Sequence, residues 1–222
     1  MELLSVNLGR AKAVAYTDNP EGVTGIDKRP VDGPVRVAAP GPKGIGGSGL
    51  AGDAVCKRQH HGGDDQAVYA MAREDLDEWE GELGRSPANG AFGENLTTRG
   101  IDVSGALIGE RWRIGSEVVL EVTSARIPCG TFQDHMDEKR WVKRFTQKGA
   151  PGAYLRVIQP GEIRTGDPIE IVHRPDHDVT VALAFRAMTT ERPLQPRLLA
   201  AGEALHPELR KWALEYVEKY GA

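Results

Sequence analysis

Leu120, Val122 and Ser124 alternate with Glu121, Thr123 and Ala125, a period of two in a stretch rich in β-branched residues. This predicts a strand. Pro128 cannot donate to a sheet ladder and ends the pairing, and Gly130 lets the backbone bend. The strand end thus presents the thiol of Cys129, three residues after Arg126. Similar short strands are expected over residues 3–8 and 13–16, within 87–98 up to NLTT, and in AYLRVIQPG and DPIEIVHRP. LIGERWRIG and VVLEVTSAR read as a pair joined at Gly115-Ser116, and Asp32-Gly33 signals a further hairpin between Pro30 and Pro34.

The period changes elsewhere. Val68, Met71, Ala72, Leu76, Trp79 and Leu83 share one face at helical spacing, which predicts a helix over 66–83 with Asp64 or Asp65 as its N-cap. A second helix is expected over 138–148, with Trp141, Val142 and Phe145 inward and Gly149 at its end. From Asp178 the texture is that of three short helices, the last with Leu209, Trp212, Ala213, Tyr216 and Val217 on one face. Pro175 suits a boundary, which divides the chain into a β-rich unit over 1–175 and a helical unit over 178–222.

Composition fits this picture. Gly 27 and Pro 14 in 222 residues favour short strands and turns. A net charge of −4, and no basic stripe on the helical tail, speak against nucleic acid and anionic membranes as partners. No apolar run approaches a membrane span and the first residues lack a signal-peptide pattern, so the cytoplasm is the expected compartment. Cys56 and Cys129 form no CxxC framework. Gly44, Gly46 and Gly49 spell GxGxxG but open no helix after a strand, which excludes a dinucleotide-binding turn.

Three groups carry candidate chemistry. Cys129 is either a functional thiol or a small buried hydrophobe; a guanidinium close by favours thiolate. His60 and His61 in KRQHHGGDDQ are either metal ligands or, with Gly62 and Gly63, part of a polar loop at a helix N-terminus that receives an anion. Lys28 and Arg29 are a solvated basic pair or an anion contact, and Asn95 satisfies turn backbone or faces a ligand. His173 and His177 cannot share a helix face across Pro175.

The ordered segments TGIDKRPV, HHGGDDQAVYAMAREDL, GAFGENLTTRGID, IGERWRIG, IPCGTF and GAYLRVIQPGEIRTGD resemble the MOSC family, the molybdenum cofactor sulfurase C-terminal domain. The helical tail resembles the three-helix "3-alpha" appendage of some bacterial members. The resemblance spans nearly the whole chain. It implies a mainly β fold with helices, a closed barrel-like sheet plus the small three-helix appendage. It implies binding of the molybdenum cofactor (molybdopterin), with Cys129 as the molybdenum ligand; the family also carries a pyridoxal phosphate label. Lys28, Arg29, His60, His61, Gly62, Gly63, Asn95 and Arg126 are then the expected cofactor contacts, and His60 or His61 the expected general acid. The implied activity is reduction of N-hydroxylated compounds such as hydroxylaminopurines or amidoximes, a detoxifying reaction. With no iron–sulfur cysteine set, an external reductase must donate the electrons. The alternatives are a persulfide carrier on Cys129, a cofactor storage module, or a scaffold with an inert thiol. A homodimer is compatible with all of these.

Overall fold

The structure, a computed structural model, describes residues 1–17 and 19–221. Among the described residues twelve strands occur: β1 (Glu2–Gly9), β2 (Lys12–Ala13), β3 (Val23–Thr24), β4 (Lys28–Pro30), β5 (Val35–Val37), β6 (Val68–Ala72), β7 (Leu96–Arg99), β8 (Arg111–Ile114), β9 (Val118–Ala125), β10 (Ala153–Gln159), β11 (Gly161–Ile163) and β12 (Ile169–His173). Six α-helices accompany them: α1 (Arg73–Asp77), α2 (Glu80–Leu83), α3 (Gly130–Met136), α4 (Trp141–Lys148), α5 (Val181–Thr189) and α6 (Pro207–Tyr220). The fold is mixed α and β around one large sheet. No helix among the described residues is long and apolar enough to cross a membrane.

The sheet has eight strands in the order β12-β8-β9-β10-β6-β7-β1-β4. All pairs are antiparallel except β6 with β7. Its outermost strands are β12 and β4, so the sheet is not the closed barrel expected from the sequence. An isolated bridge ties Glu2 to Pro168, just before β12, where Leu3 N–H donates to Asp167 O and Ile169 N–H to Met1 O, both at 2.9 Å, but it does not extend into a ladder with β12. The β8–β9 hairpin turns at Gly115 as expected. The Asp32-Gly33 hairpin does not form: β4 pairs with β1, and β5 pairs with β11. Pro30 and Pro34 each remove a donor, so neither flank can sustain a mutual ladder.

The expected long helix over 66–83 is mostly something else. Val68–Ala72 is a central strand, preceded by a 3-10 turn at Asp64–Gln66 and followed by α1 and α2. All five residues VYAMA are buried, as in a strand covered on both faces. Neither aspartate caps the turn by its side chain. Asp64 Oδ1 instead accepts from Gly41 N–H at 2.8 Å, and Asp65 meets Arg156 at 2.6 Å.

The β9 strand leads through Arg126–Pro128 to Cys129, the N-cap of α3. That short helix is pinned by an aromatic cluster. Phe132 packs edge-on to Phe92 at 5.6 Å, Trp141 at 5.5 Å and Phe145 at 5.3 Å, and Trp79 stands 4.6 Å from Trp141. All five rings are fully buried. A well-packed anchor of this kind holds the thiol in one place.

The tail forms α5, a run of 3-10 turns kinked at Gly202, and α6. Its apolar residues Phe185, Leu198, Leu205 and Ala213 join the sheet's hydrophobic core. Of the expected inward face of α6 only Ala213 is buried, and Trp212 is exposed. Arg156 of β10 fastens the tail by donating to the carbonyls of Glu203 and Ala204 at 3.2 Å each.

Candidate functional site

Cys129, Arg126, His61, Gly62, Asn95 and Lys28 all line one open cleft at the end of the sheet, together with Asp53, Cys56, Lys57, Gln66, Tyr69 and Tyr154. Its empty space, mouth included, is about 760 Å³. Both cysteines are free and half-buried.

Arg126 dominates the electrostatics. It is 7 % exposed, yet among the described residues it forms no ion pair. Its guanidinium donates to Phe92 O at 2.7 Å, lies 4.1 Å over the Phe132 ring and 5.0 Å over Tyr69, and leaves Nε without a partner. Gln66 Oε1, on the same wall, is also buried without a partner. A buried cation lacking a counter-ion costs several kcal/mol unless something supplies the charge. The cleft is therefore built to receive an anion.

Lys28 adds no free cation to that anion site. Its ammonium is clasped by Asp53 Oδ1, and the two side chains are 8 % and 1 % exposed. Burial pulls the lysine's pKa down, and Asp53 opposes that pull. Asp53 also accepts from Gly9 N–H at 2.7 Å and from Asn95 Nδ2 at 2.8 Å. Asn95 in turn accepts from Tyr69 N–H at 3.2 Å and donates to Asn7 O at 3.3 Å. The two expected ligand contacts Lys28 and Asn95 thus belong to a buried network that shapes the cleft wall. Arg29 turns away, exposed and paired to Asp27 at 2.8 Å.

The HHGG segment divides. His61 lines the cleft, whereas His60 is exposed and outside its lining. Gly62 and Gly63 have φ of 77° and 80°, and a Cβ would meet Gly47 O at 2.5 Å or Lys43 N at 2.7 Å. They serve the close approach of two loops. The 3-10 turn that follows is too short to offer the anion-binding helix N-terminus expected there.

Burial lowers the His61 pKa from the ordinary 6.5 to about 4, helped by the charges of Arg126, His60, Lys43 and Lys57. The fold therefore holds a neutral imidazole. Its stabilising contribution is present above pH 6.5 and lost as pH falls towards 4. An anion in the cleft offsets the neighbouring cations. Imidazole proton shifts should titrate near pH 4 in the free protein and move upward with saturating inorganic phosphate. A midpoint that phosphate leaves unmoved would place the anion elsewhere.

Among the described residues no three His, Cys, Asp or Glu side chains gather into a metal site. A bare ion has no cage here, which removes the His60–His61 ligand set. A metal that arrives chelated by its own organic ligand needs one soft donor and an anion clasp, and Cys129 with Arg126 fit that need. Asp53, Gln66, Tyr69 and Tyr154 were not singled out by the sequence, since their partners lie far along the chain.

The MOSC domain family matches residues 57–170. The chain belongs to the MOSC family. YflK of Bacillus subtilis (strain 168), an uncharacterized protein, is 33 % identical over 83 % of this MOSC chain and 79 % of its own length. A protein named "Reductase" from Gibberella moniliformis is 32 % identical over 78 % of the chain, which spans only 29 % of that protein. The crystal structure of YiiM from Geobacillus stearothermophilus superimposes with a TM-score of 0.76 at 27 % identity, covering 96 % of this chain and 97 % of that one.

Proposed function

We propose that this MOSC protein binds the molybdenum cofactor in the cleft and reduces N-hydroxylated compounds of the hydroxylaminopurine or amidoxime type. The observation that carries the reading is Arg126, a buried guanidinium with no counter-ion among the described residues, in one cleft with a half-buried thiol. Arg126 would take an anionic group of the cofactor through charge-assisted hydrogen bonds. Cys129 Sγ would ligate the metal from the N-cap of α3. When bound, the cofactor supplies the two-electron chemistry that converts N–OH and two protons to N–H and water. Tyr154, its ring 5.2 Å from Tyr69, offers an aromatic wall for a planar substrate. His61, neutral in the free protein, donates or accepts a hydrogen bond and becomes a proton donor only after an anion raises its pKa. Exposed His60 is not that donor. Pyridoxal phosphate has no place in this reading at Lys28, whose amine is engaged by Asp53.

Protein made in a host that synthesises the cofactor should carry about one molybdenum and one pterin per chain, since affinity of this kind survives purification. Metal analysis beside pterin fluorescence checks this. A wild type free of both would overturn the proposal.

A further inference from the structure

We propose that the helical tail braces the cleft, with Arg156 as the positioning residue that holds the 61–66 turn in place through Asp65. It deepens the reading above, which needs that wall in place.

The wall needs outside support. Residues 40–66 contain eight glycines, and only Leu50 of the segment joins the hydrophobic core. Such a chain loses much conformational entropy on ordering and recovers little of it by burial. The 3-10 turn Asp64–Gln66 has no side-chain cap of its own. Yet His61, Gly62 and Gln66 line the cleft, so their placement fixes its shape.

The ties come from the tail. Arg156 Nη2 lies 2.6 Å from Asp65 Oδ1 and donates to Ala204 O at 3.2 Å. Its Nη1 donates to Glu203 O at 3.2 Å and to Glu121 Oε1 at 3.3 Å. A planar guanidinium serves two carboxylates and two carbonyls at once, which an ammonium cannot do. Thr123 of β9 repeats the link. Its hydroxyl donates to Asp65 O at 2.6 Å, and its carbonyl accepts from His206 N–H at 3.0 Å. Burial lowers the pKa of His206, the α6 N-cap, and the charges of Lys43, Asp65, Glu208 and Arg156 all reach it. These groups therefore form one compact junction between tail and turn. A third tie, Lys43 Nζ to Glu208 at 2.9 Å, joins partly exposed groups and contributes least. Among the described residues none of the tail lines the cleft itself. Its influence on a ligand is indirect and passes through Asp65.

Hydrogen exchange of the full-length protein tests this at the amides of Gly63 and Gln66, which donate to Gly47 O at 3.0 Å and Gly63 O at 3.1 Å. Asp65→Ala removes the carboxylate and leaves the tail's own bonds to Arg156 in place. It should raise exchange at these amides about tenfold, as expected for one lost charged hydrogen bond. The His61 midpoint should also rise from about 4 towards 6.5 as the freed turn admits water to the imidazole. Loss of the Asp65 charge alone would move it the other way. Arg156→Met should act on the same amides and also raise exchange at His206. Ile114→Ala, a core cut on β8, should lower the melting temperature and leave both readouts of the turn unchanged. Turn amides and a His61 midpoint unmoved in Asp65→Ala, or moved as far by Ile114→Ala, would overturn the brace. Both readouts use protein without molybdenum. A wild type that takes up no metal would thus sink the reductive reading, while the brace stands or falls on exchange.

Discussion

A Cys129→Ala variant is expected to lose molybdenum on dialysis at least about a hundredfold more readily than wild type, yet to melt within a few degrees of it. The first effect follows from removing the one soft donor on the cleft wall. Even outer-shell changes weaken metal retention by about 10–100-fold, and loss of a ligand exceeds that. The second follows from packing. Cys129 is only half-buried and touches the core at its edge, and its backbone conformation as N-cap is extended, which alanine also adopts. The side chain makes no capping hydrogen bond that alanine would forfeit. Deleting one sulfur there costs about 1 kcal/mol. Elemental analysis and a thermal melt on the same sample separate the outcomes. Equal metal retention in the variant would remove Cys129 as ligand. A stable extra sulfur on Cys129 in wild type, with no molybdenum, would favour the carrier reading instead.

How far that site could be read from the chain depends on the range of the interactions involved. The β8–β9 hairpin was legible because period-two alternation and a Gly-Ser turn are local signals, and they led correctly to a thiol at a strand end. The helix α4 was legible for the same reason, down to its left-handed Gly149. Residues 66–83 were misread because a strand buried on both faces has no period of its own. Its apolar run Val68–Ala72 borrows a helical period from Leu76 and Trp79 beyond it. The open sheet was misread as a closed barrel because closure depends on strand order, which local pattern does not weigh. The network that ties Lys28 and Asn95 to Asp53 was not legible, because Asp53 lies 25 and 42 residues from them in an otherwise glycine-rich loop. No spacing rule connects the three. Arg126 was named for its effect on the thiol. That it forms no ion pair among the described residues shows only once their carboxylates are placed.

An Asp53→Asn substitution is expected to cost about 3–5 kcal/mol of stability, the price of leaving a buried charge without its partner. The Lys28 ammonium pairs with Asp53, and both groups are screened from water. Asparagine cannot replace the carboxylate by hydrogen bonding either. One oxygen of Asp53 faces Lys28 and Gly9 N–H, and the other faces Asn95 Nδ2, so either amide orientation sets an NH₂ against a donor. The loss should depend on pH in a definite direction. Burial already holds the Lys28 pKa below its ordinary 10.5 with Asp53 present, and removing Asp53 takes away the carboxylate that raises it. The unfolded chain then binds more protons than the folded one over a wider range, so the variant gains stability on wild type as pH rises towards 10.5. Urea melts at pH 7 and pH 9.5 should show the deficit narrowing. A second change, Lys28→Met, should recover much of the loss at pH 7, because an apolar group of similar length needs no counter-ion. A deficit that is flat with pH, or a double variant no more stable than Asp53→Asn, would mean that the Gly9 and Asn95 hydrogen bonds carry the network and the ion pair does not.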